Sequence, residues 1–257
     1  MIKTLALLTK AGRATQKTLF PQLPEYSRGL PVVTDIACSS NCSACKDLCP
    51  TEAIELTLLP NRQIDVAIDR GKCIACARCS DLCPTGAIEA DRNTNIAVLA
   101  RKQLISRRCG PAKEPIQRTS HTKENPFRNS LHVRVVSTGD SASDMELVAS
   151  DNPIFDGSRF GIHTVASPRF ADALVVTGPV AHGMRDPLLR CYEAMASPRL
   201  VVAVGTSAIS GGLYAGGYAS ASGVDAVLPV DAYAPGNPPH PWTILHALML
   251  LMHHKSL

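Results

Sequence analysis

Eight of the ten cysteines in this 257-residue chain fall between residues 38 and 83, in two quartets. The second quartet reads Cys73-x2-Cys76-x2-Cys79-x3-Cys83, followed by Pro84. The first reads Cys38-x3-Cys42-x2-Cys45-x3-Cys49, followed by Pro50. Thiolate sulfur is a soft ligand that suits iron, and a 4Fe–4S cubane takes four of them. Three thiolates on one tight loop cap three corners of a cube. The fourth cysteine starts a short helix, points away and must reach the other cube. This crossed arrangement assigns Cys38, Cys42, Cys45 and Cys83 to cluster one, and Cys73, Cys76, Cys79 and Cys49 to cluster two. The extra residue between Cys38 and Cys42 bulges that loop without removing a ligand. If the bulge displaces Cys38, cluster one becomes labile or a three-iron form. Two zinc sites would also consume eight thiolates, but the x3-Cys-Pro endings favour iron–sulfur. Disulfides are disfavoured, because paired CxxC clusters in an unsecreted chain usually bind metal.

The elements that must hold these loops are legible as an internal repeat. CSACKDLCPTEAIEL (42–56) matches CARCSDLCPTGAIEA (76–90) at an offset of 34, whereas Cys38 matches Cys73 at 35. A duplicated unit with its own cysteines is a strong architectural signal. Between the copies Ile64, Val66 and Ile68 alternate with Asp65 and Asp69, which suits a short strand. Ahead of the repeat, residues 1–30 read as an amphipathic lead segment. Leu5, Leu8, Gly12 and Leu19 share one side of a helical wheel, with Lys3, Lys10, Arg13 and Lys17 opposite, as on a helix lying against a membrane or a partner. After the repeat, residues 91–130 read as a basic linker: nine Lys or Arg face three acids, and Pro111, Pro115 and Pro126 break any long helix. Cys109, beside Arg107 and Arg108, reads as a surface thiol, and Cys191 as a core residue.

Residues 131–257 change character. LHVRVVS (131–137), ADALVVTG (171–178), RLVVAVG (199–205) and DAVLPVD (225–231) read as buried strands of a parallel sheet covered on both faces. MRDPLLRCYEAM (184–195) has helical spacing, and Pro241 opens a last helix through Met252. The alternation implies an α/β three-layer domain. Its strand-end loops are STGDSASD (137–144), TGPVAHG (177–183), GTSAISGG (205–212) and DAYAPGNPP (231–239), the face where such sheets bind ligands. They carry no catalytic constellation. His182 and His240 lack a paired nucleophile or carboxylate, and GGLYAGG is not a P-loop.

Composition excludes several classes. At 45% hydrophobic residues the chain is not disordered. A net charge of +4, with five Phe, five Tyr and one Trp, argues against a nucleic-acid partner. The longest apolar run, ILHALMLLM (244–252), is short for a spanning helix, and no secretory leader is evident. The expectation is a soluble or membrane-peripheral protein in a reducing compartment.

The first 90 residues resemble the two-cluster ferredoxin subunits of respiratory complex I and of membrane-bound energy-converting NiFe hydrogenases, including formate hydrogenlyase. Besides the quartets, MIKTLALLTKAGRATQ (1–16) and SRGLP (27–31) look like the lead helix and approach of those subunits. Residues 131–252 resemble the small subunit shared by complex I and NiFe hydrogenases. The resemblance rests on residues 152–195, on VVAVGTSAISGGLY (201–214) and on PVDAYAPGNPPHP (229–241). In that family four strand-end cysteines hold a proximal 4Fe–4S cluster. Here the first loop carries Asp140, Ser141, Ser143 and Asp144, the second has Ser207 and the third has Asn237. Hydroxyls and an amide are poor ligands for an iron–sulfur cube. No cluster is expected there, and polar, water-filled space is preferred over a hard-cation site at Asp140, Asp144 and Asn237.

The expected fold is thus an α+β ferredoxin-like domain with two 4Fe–4S clusters (31–90), then an α/β three-layer domain with a parallel sheet (131–257). What the resemblance implies is an electron-transfer subunit of a membrane-associated oxidoreductase complex, without a complete catalytic site of its own. Its partners would be a large hydrogenase-like or complex I-like subunit, membrane subunits, and a redox donor or acceptor. It would lie in the cytoplasm at the inner face of the cell membrane. The alternative is a non-catalytic scaffold whose clusters are structural.

Overall fold

The computed structural model describes residues 16, 18–39, 42–60, 62–108, 126–139 and 141–252, with Thr4, Leu7, Thr9 and Lys10 near the start. Most of the expected lead-helix residues (Lys3, Leu5, Leu8, Gly12, Arg13 and Lys17) lie outside the described residues. So do Cys109 and Asp140.

The repeat folds as two antiparallel ribbons joined by the cysteine loops. In chain order it runs β1 (Leu30–Val33), α1 (Ala44–Asp47), β2 (Ile54–Leu58), β3 (Ile64–Asp69), α2 (Arg78–Asp81) and β4 (Ile88–Asp91). β1 pairs with β4 and β2 with β3. The registers are copies of one another: Val33 faces Ile88 in one ribbon, and Ile68 faces Ile54 in the other. Val33 and Ile68 are 35 apart, while Ile54 and Ile88 are 34 apart. The register therefore places the extra residue of copy one between β1 and β2, where its cysteine loop lies. Inside, Ile54, Ile64, Val66, Ile68, Ile88 and Cys45 form one apolar cluster. The expected strand at Ile64, Val66 and Ile68 is β3, but it is covered on both faces. Asp65 is buried with the rest, 3.6 Å from the Arg107 guanidinium.

Much of the basic segment is built into this body. β5 (Ile105–Arg107) pairs with the free edge of β3. Ahead of it Val98 makes a two-way backbone bridge with Tyr233: Val98 N donates to Tyr233 O at 3.0 Å, and Tyr233 N to Val98 O at 2.8 Å.

The rear half is a five-stranded sheet, all parallel. It contains β6 (Leu131–Ser137), β7 (Ile162–Thr164), β8 (Ala173–Thr177), β9 (Leu200–Val204) and β10 (Ala232–Ala234), in the order β10-β9-β8-β6-β7. Parallel strands need crossovers. These carry α3 (Ser143–Ser150), α4 (His182–Glu193) and α5 (Thr206–Ser210), and α6 (Pro241–Leu251) follows β10. β8 and β9 are nearly all Val, Leu and Ala because both of their faces are buried. One face packs against α3 and α6, the other against α4, α5, Leu104 and Leu228. α6 is buried at every position, which explains its apolar residues all round.

One expected strand is corrected. Residues 225–231 do not form it; the strand is β10, Ala232–Ala234. Val224–Ala226 is instead a single 3-10 turn, and Leu228 drops into the core below the sheet. Pro229 has no N–H to give a ladder. Asp231 opens the strand through both its backbone and its carboxylate: its N–H donates to Val201 O, and the carboxylate accepts from Val201 N, each at 2.8 Å.

Candidate iron–sulfur site

The two cysteine loops end alike. Each ends in Cys-Pro-Thr, with the threonine hydroxyl close to the last thiol. Thr51 Oγ1 is 3.8 Å from Cys49 Sγ, and Thr85 Oγ1 is 3.7 Å from Cys83 Sγ. Ala53 N donates to Cys49 Sγ at 3.2 Å, and Ala75 N to Cys73 Sγ at 3.4 Å. Ala75 and Ala77 adopt positive φ of 53° and 64°, which turns successive backbone N–H groups toward one side of the loop. Such donors stabilise negative sulfur.

The thiols gather around two adjoining spaces. Cys38, Cys42, Cys45 and Cys83 line one, of about 340 Å³, with Val66, Leu82 and Ile88 among its walls. Cys49, Cys73, Cys76 and Cys79 line the other, of about 370 Å³, with Cys45 on the shared side and Ile54, Ile68 and Ile74 around them. Both open partly to solvent. Among the described residues no three Cys, His, Asp or Glu side chains converge tightly enough for a single metal ion. A cubane holds its thiolates on separate corner irons, farther apart than one ion would. Four soft sulfur donors around each space suit a cubane.

Burial makes these thiols poor acids when no metal is bound. It pushes Cys73 up to about 12, and Cys45 and Cys79 each to about 11, with the neighbouring sulfurs adding repulsion. Burial and the charges of Cys42 and Cys83 raise Cys38 as well. At Cys83 burial also pushes upward, but hydrogen bonds from Thr85 and the backbone outweigh it and hold this thiol below its usual value. A cationic cluster core would supply the charge that draws these protons off.

The second loop is fastened to the rear half. Thr206 Oγ1, at the start of α5, donates to Cys73 O at 2.7 Å, and Ser210 Oγ donates to Gly71 O at 2.9 Å. Gly71 has no room for a side chain, since a Cβ would meet Ile209 and Arg101 at 2.9 Å. Arg101 grips Asp69 through two hydrogen bonds of 2.8 and 2.6 Å. Further along the seam Thr243 Oγ1 donates to Thr94 O at 2.8 Å, and Ala97 N to His246 Nδ1 at 3.1 Å. No motif spacing signals the contacts of Thr206, Ser210, Thr243 and His246, because each joins residues more than 100 positions apart.

The strand-end face of the rear half does not fit a third cluster. Ser207 and Asn237 offer a hydroxyl and an amide where the resemblance leads one to expect thiolates, and Ser143 is buried so close to Gly205 that a Cβ there would collide with its hydroxyl. Asp144 is occupied as well: one carboxylate oxygen accepts from Ser137 Oγ at 2.8 Å and the other from Thr177 Oγ1. Asn237 is exposed. Nothing among the described residues gathers Asp144 and Asn237 into a cation site. His182 is exposed at the start of α4. His240 caps α6 by accepting from Trp242 N at 3.2 Å, and burial holds it below its ordinary value. Cys191 is half-buried at the edge of the core.

The architecture is thus that of an iron–sulfur head fused to a parallel α/β body. The family described as "4Fe-4S dicluster domain" matches residues 37–87, and "NADH ubiquinone oxidoreductase, 20 Kd subunit" matches residues 141–251. An uncharacterized protein of Methanocaldococcus jannaschii is 43% identical over 128 residues, which are 49% of this chain and 86% of that one. Formate hydrogenlyase subunit 7 of Escherichia coli is 37% identical over 125 residues, 49% of each chain. A subunit of the NADH-quinone oxidoreductase of Mycolicibacterium vanbaalenii is 45% identical over 108 residues, 42% of this chain and 58% of that one. The match thus spans about half the length of these last two relatives. The chain belongs to the family of the NADH ubiquinone oxidoreductase 20 Kd subunit, with an iron–sulfur domain ahead of it.

Proposed function

We propose that this protein is an electron-carrying subunit of a membrane-associated oxidoreductase complex. In this reading two 4Fe–4S clusters sit in the front half (31–90). Cys38, Cys42, Cys45 and Cys83 hold cluster one, and Cys73, Cys76, Cys79 and Cys49 hold cluster two. Bound there, the clusters supply one-electron transfer. The chain's own residues exclude water with Ile54, Ile68 and Val66, and offer backbone N–H groups to the sulfurs. The rear half (131–257) docks a large hydrogenase-like or complex I-like subunit. Membrane subunits of the complex then keep the protein at the inner face of the cell membrane. Among the described residues no helix is long and apolar enough to cross a membrane.

The observation that carries this reading is the grouping of thiols from both repeat copies around two cavities, each copy lending one cysteine to the other's set. Iron and sulfide analysis of the anaerobically purified chain should give about eight irons, four for each cubane. About twelve would mean that the rear half holds a cube after all. Substitution tests the crossing. Cys49→Ser and Cys76→Ser should abolish the same electron paramagnetic resonance signal of the dithionite-reduced protein, and Cys83→Ser and Cys42→Ser the other. If Cys49→Ser instead silences the signal lost in Cys42→Ser, the ligand sets are wrong. Clusters that resist reduction in the assembled complex would leave only a scaffold role.

A further inference from the structure

The two cysteine loops are copies, so a charge found on one and missing from the other marks a difference in what they do. Three residues ahead of the first cysteine, copy one has Asp35 and copy two has Arg70. Just before the third cysteine, copy one has Ala44 and copy two has Arg78. Arg78 lines the second cavity, and no charged residue lines the first. Asp35 and Arg78 are exposed, so water screens both.

Arg70 differs from them. Its side chain is only 15% exposed, and Nη2 lies 2.9 Å from Asp91 Oδ2. Asp91 is only partly available to it, because its other oxygen accepts from Asn93 N and Nδ2 at 3.0 and 2.8 Å. The Arg70 Nε is buried and finds no acceptor among the described residues. A buried cation with an unused donor calls for a further acceptor. Arg70 stands three residues ahead of Cys73, whose side chain lines the second cavity.

Resting on the reading that these cysteines hold clusters, we propose that Arg70 is a positioning charge that raises the reduction potential of cluster two and draws the electron to the seam with the rear half. When cluster two accepts one electron from an outside one-electron donor, its negative charge grows by one unit. A fixed cation in a poorly screened interior stabilises that reduced form, and net charge near a cluster is one of the determinants of its potential. Copy one has an exposed carboxylate at the matching position, so its cluster gains no such help. Cluster two is also the one whose loop is hydrogen-bonded to α5 through Cys73 O.

The test is a potentiometric titration of the full-length, cluster-loaded protein. It is followed by electron paramagnetic resonance, with iron content measured alongside. In Arg70→Gln the reduced-to-oxidised ratio of cluster two at a fixed potential should fall about tenfold, a shift of about 59 mV for one electron, while cluster one stays put. Arg70→Lys should restore most of the ratio. Asp91→Asn, which strips the counter-charge, should move cluster two the opposite way. An unmoved cluster-two midpoint in Arg70→Gln with full iron, or equal shifts at both clusters, overturns the proposal. If Arg70→Gln loses iron, Asp91→Asn decides: no upward shift overturns it. Absence of two cluster signals in the unaltered protein would instead sink the parent reading.

Discussion

The front and rear halves bury their interiors by different means. The rear sheet is sealed between two apolar layers. α6, β8 and β9 supply Leu, Ile, Val and Ala at fully buried positions. The front half has one small cluster of isoleucine, valine and cysteine, and the sulfurs that close it face two open spaces. So small a core is marginal by itself. The contrast teaches that the same chain contains one half stabilised by packing and another whose interior, on the proposed reading, metal–thiolate bonds would complete.

The strongest attempt to break that contrast is to take the metal away. Chelation of iron under reducing conditions should abolish amide hydrogen-exchange protection in β1 to β4 and leave β8 and β9 protected. Equal loss in both halves would show that the sheet, too, depends on iron. A converse attack strikes the rear alone. Leu245→Ala removes a fully buried side chain from α6 and should cost about 2–5 kcal/mol, read by denaturant unfolding. Iron content should hold at native temperature.

A smaller effect sharpens the comparison through pH. Burial pushes His246 on α6 down to about 4 from 6.5, and its Nδ1 accepts from Ala97 N. Between these values the unfolded chain binds a proton that the folded chain refuses. The rear half should therefore lose stability as pH falls from about 6.5 toward 4, by up to about 3 kcal/mol. His246→Asn keeps an acceptor without the titration and should flatten this slope. Trp242, the single tryptophan, lies on the same helix, so its fluorescence reports the transition. An unchanged slope in the variant would assign the acid sensitivity elsewhere.

How legible this was depended on whether the signal was local. The cysteine spacing is local, and thiols from both copies line each of two spaces, with Cys45 lining both. The Val- and Leu-rich runs at 131–137, 171–178 and 199–205 were legible as buried strands for the same reason. DAVLPVD misled because an apolar run bounded by acids resembles a strand even where Leu228 serves as a core plug. β5 and β7 have three residues each, too few for any periodicity. Arg70 lay in plain sight beside Cys73, but only burial separates it from an ordinary surface arginine. The seam was invisible, since nothing in GTSAISGG says that its threonine will reach Cys73.

The bridges made by Thr94, Ala97 and Val98 govern how the polypeptide can be taken apart. A cut beyond residue 108 would strip a backbone partner from Tyr233 and a donor from His246. A cut at residue 91 would instead leave a raw edge on β3, where Ile105–Arg107 had lain. The halves are not beads on a string that can be exchanged at residue 91. No single break between them leaves each half with every one of these partners.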